Sequence, residues 1–162
     1  MIITNELDHN QKNKILKDIF IKIKNEKNLS FRKIKEIKKY IDNKNIHYLF
    51  KKNQLIGFLF YNKLSNKLIE IHGLYLDPKF RGKGYSNQLI KYATKNKNYS
   101  YLGAIFLNKI QKLLSNHGFI KIKFNDLTLL EKINFLKPRL KLYRLKEVIR
   151  HKKKDKLILM KK

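Results

Sequence analysis

The chain has 162 residues, of which 43% are hydrophobic, and this length and composition fit one globular domain with a core of its own. The sequence contains no cysteine, which excludes disulfides, thiolate catalysis and cysteine-based zinc sites. Its five histidines show no paired ligand spacing, so we expect no metal. No apolar stretch reaches the roughly 20 residues that span a bilayer, and the first residues lack a signal pattern. We therefore expect a cytoplasmic protein without a membrane contact.

The charge is strongly positive, with 39 basic and 12 acidic residues and a formal net charge of +27. Such a charge attracts polyanions, so one interpretation is contact with RNA or the ribosome through a basic surface. The other is codon bias in an A/T-rich genome, which enriches lysine and leaves a solvated basic face. The abundance of lysine over arginine is compatible with that bias. The most basic stretch runs from Lys137 to Lys162.

The apolar residues alternate between helical and strand periods along the chain. Ile15, Ile19 and Ile23 mark one face of a first helix, and Ser30 is a suitable N-cap for a second. In chain order the predicted elements are a strand at 1–6, helices at 11–25 and 31–41, strands at 46–50, 55–61 and 68–76, a helix at 84–95, a strand at 99–107, a helix at 108–116, a strand at 119–124, a helical segment at 126–151 and a strand at 157–160.

The segment 126–151 is predicted to form two short helices inserted before the last strand. Asp126 is a candidate N-cap, and Pro138 interrupts the helical pattern. The apolar residues at helical spacing are Leu127, Leu130, Ile133 and Leu136.

The clearest motif is the hexapeptide Arg81-Gly82-Lys83-Gly84-Tyr85-Ser86, which lies between an apolar strand and an amphipathic helix. Glycines at positive φ let successive N–H groups converge, and a helix N-terminus adds partial positive charge at the same place. Arg81 and Lys83 add further charge. The motif therefore indicates a pyrophosphate cradle; by itself it is equally compatible with an ordinary turn from strand to helix.

Residues 69–86, which include this hexapeptide, resemble the acetyl-CoA-binding motif of the GNAT acyltransferase superfamily. The family shows Gln/Arg-x-x-Gly-x-Gly/Ala here; Arg81 and Gly84 match, and Ser86 is small at the last position. His117-Gly118-Phe119 is similar to the family's Gly-Phe before the sixth strand, and the element order agrees along essentially the whole chain.

The resemblance implies an α/β fold in a single domain, 1–162. A central twisted, mostly antiparallel sheet would be flanked by helices, with the helical insertion 126–151 before the last strand. It also implies an acetyl-CoA-dependent N-acetyltransferase. Backbone groups of three residues would pair with the pantetheine arm: Leu74, Tyr75 and Leu76. Residues Arg81, Gly82, Lys83, Gly84, Tyr85 and Ser86 would hold the pyrophosphate, and Asn108 would lie beside the cofactor.

Acetyl transfer to an amine needs a base that takes the amine proton. Glu70 is the first candidate, because Asp77, the other acidic residue between Asn43 and Asn125, is explained by a turn with Pro78. One branch of the superfamily uses a glutamate at the matching position. His72 is the alternative base, since alternation in a strand would place Glu70, His72 and Leu74 on one face. Glu70 could instead only pair with a lysine.

Leu114 occupies the position where the family often has the tyrosine that protonates the departing thiolate. The remaining candidates are Ser115, His117, Tyr143 and solvent. The scaffold could also bind without catalysis, as a basic module for nucleic acid or the ribosome.

In the family the acceptor enters near the first two helices and the loop before the last strand. Here that loop is the basic insertion, whose charge argues against polyamines and aminoglycosides as acceptors. We therefore expect a primary amine on a protein, ribosomal or tRNA-linked acceptor. The oligomeric state stays open.

Overall fold

The computed structural model describes residues 1–105, 108–141 and 157–162. In this part of the chain, five α-helices accompany a seven-stranded sheet. The strands are β1 (Ile2–Thr4), β2 (Ile46–Lys51), β3 (Gln54–Lys63), β4 (Leu68–Leu76), β5 (Ser100–Ile105), β6 (Ile120–Ile122) and β7 (Ile158–Lys161). The helices are α1 (His9–Asn25), α2 (Ile34–Asp42), α3 (Tyr85–Ala93), α4 (Asn108–Ser115) and α5 (Leu129–Leu136).

The sheet order is β1-β2-β3-β4-β5-β7-β6. The β1–β2, β2–β3, β5–β7 and β6–β7 pairs are antiparallel, whereas β4 and β5 are parallel. This mostly antiparallel sheet with helices confirms the predicted fold class. The predicted order of elements is also confirmed as far as the described residues reach; the second predicted helix of the insertion lies outside them.

Contacts divide the chain into two compact units, and the division runs through β3 and β4. The first unit comprises Met1–Phe60 and Gly73–Ala93, and the second comprises Tyr61–His72 and Thr94–Lys162. The prediction of a single domain over 1–162 stays a prediction.

The core of the first unit contains one face of each of its two leading helices and the inner residues of β2 and β3. Ile15, Ile19 and Ile23 are buried, as their helical spacing predicts, and Leu16 and Phe20 pack beside them. Ile37 and Ile41 bury the matching face of α2. Burying this many aliphatic side chains supplies the main favourable term for folding, at about 25 cal/mol per Å² of apolar surface.

The predicted start of α2 is wrong. The helix begins at Ile34 with Lys33 as N-cap, not at Phe31 with Ser30 as N-cap. The preceding residues have specific contacts that favour an extended chain: the Phe31 ring meets the Phe20 ring edge to face at 6.2 Å, and the Arg32 side chain is buried. Because the helix starts late, Ile34 is exposed and does not join the buried stripe.

The second unit has a smaller core that includes residues of β4, β5, β7 and α5. Its buried members are Leu64, Leu68, Leu102, Leu127, Phe135 and Leu159. Helix α5 contributes Phe135, whose ring lies 6.0 Å from that of Phe124.

The predicted N-cap and face of α5 are wrong. Asp126 closes a short 3-10 turn, where its carboxylate accepts from the Lys123 N–H at 2.8 Å, and Thr128 caps the helix instead. The helix buries Glu131 and Phe135. Of the predicted stripe, Leu130, Ile133 and Leu136 are exposed, and only Leu127, which precedes the helix, is buried.

Helix α5 is fixed by polar contacts as well as by Phe135. Thr128 and Glu131 form a reciprocal capping box, with the Thr128 N–H donating to the Glu131 carboxylate at 2.9 Å. The Ser65 hydroxyl donates to the same carboxylate at 3.0 Å, and the Asn134 amide donates to the Leu64 carbonyl at 2.8 Å. Burial raises the pKa of Glu131, but the bonds from Thr128 and Ser65 outweigh it and hold the pKa below its usual 4.5. A buried polar face therefore specifies how this helix packs.

Replacing the two candidate caps should separate the predicted from the observed helix starts. Thr128→Ala should lower the free energy of unfolding by about 1 kcal/mol, because it removes an N-cap acceptor. Ser30→Ala should change it by less than about 0.5 kcal/mol, because Ser30 caps no helix. Urea unfolding of both variants measures this, and equal losses would contradict the observed caps.

Candidate functional site

The turn between β4 and α3 has the open glycine geometry that its sequence predicts. Gly82 and Gly84 have φ values of +76° and +77°, in the left-handed region that favours glycine. A Cβ atom on either residue would meet no atom within 4 Å, so the space in front of the turn is open. Helix α3 begins directly afterwards at Tyr85. The turn therefore offers backbone N–H groups and a helix N-terminus to an anion.

The Arg81 side chain makes two contacts beside this turn. Its Nε donates to the Leu76 carbonyl at 2.9 Å, and its guanidinium pairs with the Glu26 carboxylate. Burial raises the pKa of Glu26, but the Arg81 pair and the Asn28 N–H outweigh it and keep the pKa below its usual 4.5. In this structure the charge of Arg81 is thus directed to Glu26. The sequence-based assignment of Arg81 to the pyrophosphate stays a prediction.

Asp77 begins the turn, as predicted. Its carboxylate accepts from the Lys79 N–H at 3.1 Å, with Pro78 at the first position of a short 3-10 turn. The Lys22 ammonium lies 3.7 Å from the same carboxylate. Both carboxylates beside the turn, Glu26 and Asp77, therefore have cationic partners.

Strand β4 leads into the turn, and among the described residues its pairing with β5 runs along its first half. The register runs from Leu68 with Ser100 to Ile71 with Gly103. Gly73 then adopts a φ of +61°, which interrupts the extended backbone. The simple alternation that would put Glu70, His72 and Leu74 on one face therefore does not hold across Gly73.

Beyond Gly73 the backbone groups of β4 face two directions. The Asp77 N–H donates to the Ile56 carbonyl of β3 at 2.8 Å. The Tyr75 carbonyl oxygen also faces β3, since it lies 2.9 Å from the point that a Cβ on Gly57 would occupy. Because backbone groups alternate along a strand, those of Leu74 and Leu76 face the opposite edge. These two residues fit the predicted pairing with a pantetheine arm better than Tyr75 does, with the Leu76 carbonyl already accepting from Arg81 Nε.

The Tyr75 side chain belongs to the core of the first unit. Its ring stacks on Phe58 with centroids 5.0 Å apart, and the Lys22 ammonium lies 5.6 Å from its centroid. Burial, followed by the negative charge of Asp77, raises the pKa of its hydroxyl. The side chain therefore stays protonated at neutral pH.

Glu70 is fully buried in β4 and is paired with Arg139. One guanidinium nitrogen of Arg139 donates to Oε1 of Glu70, and the other lies 3.4 Å from Oε2. Arg139 is held in turn by Phe135, whose carbonyl accepts at 2.6 Å and whose ring centroid is 3.6 Å from the guanidinium carbon. The alternative prediction for Glu70 was an ion pair with a lysine. Glu70 does form an ion pair, but its partner is an arginine.

His72 is half-buried, and its Nε2 lies 3.0 Å from the Asn62 amide nitrogen. An amide nitrogen can only donate, so this contact has Nε2 as its acceptor. Glu70 and His72, the two predicted bases, therefore both lie in the second unit and both have polar partners.

The candidates for the general acid differ in their burial. Leu114 is buried, and a Cβ on Gly103 would come within 2.5 Å of its Cδ1, so this position is a tightly packed part of the core. Ser115 is exposed and His117 half-buried. Asn108 is the first residue of α4, while Tyr143 lies outside the described residues.

Within the described chain, no three His, Asp or Glu side chains lie close enough together to hold a metal ion.

The sequence did not predict the roles of Arg139 and Arg32. The signal that points to them is the rarity of arginine in this chain. Arginine occurs five times in a chain with 39 Lys and Arg residues, so each arginine stands out against the lysine bias. Arg32 is buried over the rings of Tyr40 and Phe60, at 5.2 and 4.6 Å from their centroids. Arg81 and Arg139 both pair with glutamates. A planar guanidinium with several fixed donors suits these contacts better than a lysine ammonium does.

Removing Arg139 should destabilise the protein far more than removing Arg81. Arg139→Met leaves the fully buried Glu70 carboxylate unpaired and should cost about 3 kcal/mol of the free energy of unfolding. Arg81→Met is a matched control; its partner Glu26 is 17% exposed, and the loss should be about 1 kcal/mol.

A double-mutant cycle measured by urea unfolding tests the coupling. The pair Glu70→Met and Arg139→Met should cost clearly less than the sum of the single changes. Additive losses, or a cost below about 0.5 kcal/mol for Arg139→Met, would contradict a coupled buried pair.

Comparisons with known proteins agree with this geometry. Residues 14–122 match the sequence model of the acetyltransferase (GNAT) family. No curated protein matches the sequence significantly.

Solved structures with the same fold include those of three named proteins. Rv2747 from Mycobacterium tuberculosis, solved in complex with CoA, has a TM-score of 0.69 and 14% identity, over 99% of this chain and 98% of that one. Ribosomal-protein-alanine N-acetyltransferase from Brucella melitensis has a TM-score of 0.59 and 14% identity, over 100% and 99% of the two chains. N-acetylglutamate synthase from Neisseria gonorrhoeae, solved with CoA and N-acetyl-glutamate, has a TM-score of 0.70 and 11% identity over 99% of this chain.

The present chain spans 34% of the Neisseria protein, about a third of its length. At these identities the likeness shows the fold. No helix in the described part of the chain is both long and apolar enough to cross a bilayer. The family match extends over more than half of the sequence and confirms both the resemblance and the cofactor, acetyl-CoA. The chain belongs to the GNAT family of acetyl-CoA-dependent N-acetyltransferases.

Proposed function

We propose that this protein transfers the acetyl group of acetyl-CoA to a primary amine on a negatively charged macromolecule, either a protein, a ribosomal component or an aminoacylated tRNA. The observation that carries the proposal is the open glycine turn between β4 and α3, which follows a strand whose pairing with β5, in the part of the chain that the structure describes, extends to Ile71. The macromolecular acceptor rests on the net charge of +27.

Acetyl-CoA supplies an acetyl group activated as a thioester. In the proposal, the backbone N–H groups of the turn from Gly82 to Ser86 hold its pyrophosphate. Leu74 and Leu76 offer backbone groups to the pantetheine arm, as the family resemblance implies, and Asn108 begins the helix expected beside it. Hydrogen bonds to a charged acceptor contribute about 1.5 to 3 kcal/mol each.

Glu70 is the proposed base, and Arg139 holds it until the acceptor arrives. An acceptor amine is an ammonium ion at neutral pH and competes with a guanidinium for the same carboxylate. The weaker contact, 3.4 Å between Arg139 and Oε2, is the one that the ammonium would replace. The carboxylate would then take a proton and leave a neutral amine as nucleophile. His72 remains the alternative base.

The proposed class of acceptor rests on the net positive charge of the chain. The chain has 39 basic and 12 acidic residues, which disfavours a polycationic amine and favours an amine on an acidic surface. One structural neighbour is named for acetylating a ribosomal-protein alanine, but at 14% identity it supports the fold and not the acceptor.

A second function is favoured by one observation on the catalytic residues. The position of the family's tyrosine acid is the buried Leu114, and Glu70 is held at both oxygens by Arg139. These features suit a scaffold that has lost catalysis and binds nucleic acid or the ribosome through its lysines. Such a module would show salt-sensitive RNA affinity that acetyl-CoA does not alter.

Binding of acetyl-CoA to the turn is tested by thermal unfolding with two changes at one glycine. Acetyl-CoA should raise the unfolding midpoint of the unchanged protein, because it binds only the folded state. Gly84→Asp should abolish most of this rise by placing a carboxylate in the open space of the turn. Gly84→Asn adopts the same backbone conformation without the charge and should keep more of the rise. Equal rises in both variants would argue against a phosphate at this turn.

The assignment of the base is tested by the rate of CoA release with a panel of protein, ribosomal and tRNA-linked amines. Glu70→Gln should lower kcat by about 100-fold or more at unchanged acetyl-CoA affinity, because the amide keeps the shape but takes no proton. Asp8→Asn, at an α1 N-cap without a side-chain bond, is the control and should keep full activity.

Other outcomes are equally decisive. Full activity in Glu70→Gln with a loss in His72→Gln would transfer the role of the base to His72. Acetyl-CoA binding without turnover of any acceptor would favour the binding module.

A further inference from the structure

A lysine far from the glycine turn in sequence lies beside it in the first unit. Lys51 is the last residue of β2, and its ammonium donates to the Tyr85 hydroxyl at 3.4 Å. The same ammonium lies 5.4 Å from the ring centroid of Phe80 and 5.9 Å from that of Tyr85. Lys83 places a second ammonium over Phe80, at 6.0 Å from the centroid. Two cations from different parts of the chain therefore share one aromatic surface.

Neither cation has an acidic partner among the residues that the structure describes. The carboxylates beside the turn are already paired, Glu26 with Arg81 and Asp77 with Lys22. In the described part of the chain Lys51 and Lys83 have no carboxylate within ion-pair distance. Two like charges over one ring repel each other, so an anion bound between them would be stabilised by both.

The position of Lys51 points to a phosphate other than the pyrophosphate. Backbone N–H groups of the turn are available to the pyrophosphate, whereas Lys51 reaches the tip of the Tyr85 side chain and not its backbone. CoA carries a third phosphate, a dianionic monoester on the 3′-oxygen of its ribose. The ribose follows the pyrophosphate directly, so this phosphate lies within reach of side chains at the edge of the turn.

We propose that Lys51 and Lys83 bind the 3′-phosphate of the cofactor, with the faces of Phe80 and Tyr85 holding the two ammonium groups in place. The inference rests on the proposed cofactor site at the glycine turn. Lys51 is then a specificity-determining residue, because it does not increase the binding affinity of a cofactor that lacks the 3′-phosphate.

The test compares the dissociation constants of CoA and dephospho-CoA, measured by calorimetry for each variant. The unchanged protein should bind CoA about tenfold more tightly than dephospho-CoA, as a charge-assisted contact predicts. Lys51→Met should reduce this preference to about twofold or less and leave the affinity for dephospho-CoA unchanged. Lys83→Met should act in the same direction, and Lys51→Arg should retain most of the preference.

Lys14→Met is the matched control, since Lys14 is an exposed lysine of α1 two helical turns before Lys22. It should keep the full preference for CoA. Thermal unfolding without ligand shows whether each variant folds.

Four results would overturn the inference. Lys51→Met and Lys83→Met could both keep the preference for CoA, or they could weaken both nucleotides equally, which would indicate a contact with the pyrophosphate or a purely structural lysine. The unchanged protein could also bind both nucleotides equally well, which removes this inference but leaves the cofactor site intact. An unchanged protein that binds neither nucleotide would overturn the cofactor site as well.

Discussion

A carboxylate that has no contact with solvent needs a cationic partner, and Glu70 in β4 meets this constraint through Arg139. The partner lies 69 residues further along the chain, beyond α5 and Pro138. Phe135, the buried aromatic residue of α5, holds the guanidinium with its ring and its carbonyl. The buried charge thus ties the segment after α5 to an interior strand. The candidate base and the packing of α5 consequently depend on the same contact.

The two kinds of cation have different roles in the described structure. The arginines at 32, 81 and 139 are each engaged in planar or bidentate contacts with aromatic rings, carbonyls or glutamates. Lysines 51 and 83 lie over aromatic faces and keep their charge available. A guanidinium is rigid and weakly hydrated, which suits permanent internal contacts, whereas an ammonium exchanges partners easily. This division leaves positive charge where the proposed cofactor carries its phosphates.

Much of the candidate site could be predicted because its signals are local. Glycines at fixed spacing after an apolar strand predict the left-handed turn, and Gly82 and Gly84 adopt it. Asp77 before Pro78 predicts the turn that precedes it, and the structure contains that turn. The partners of the predicted side chains could not be predicted in the same way. Arg81 turns to Glu26, and Glu70 to Arg139, because each partner comes from a distant element of its own unit.

Local sequence is enough to predict the order of the elements, the buried stripe of α1 and the glycine turn, since each depends on the period or backbone freedom of neighbouring residues. Where α2 begins, which face of α5 is buried and what surrounds Glu70 depend instead on contacts between distant parts of the chain. Helix propensity at Ser30 is overridden by the contacts of Phe31 and Arg32, and the apolar stripe of α5 is overridden by the polar anchors at Ser65 and Leu64. These outcomes depend on residues that meet only when the chain has folded, which no periodicity encodes.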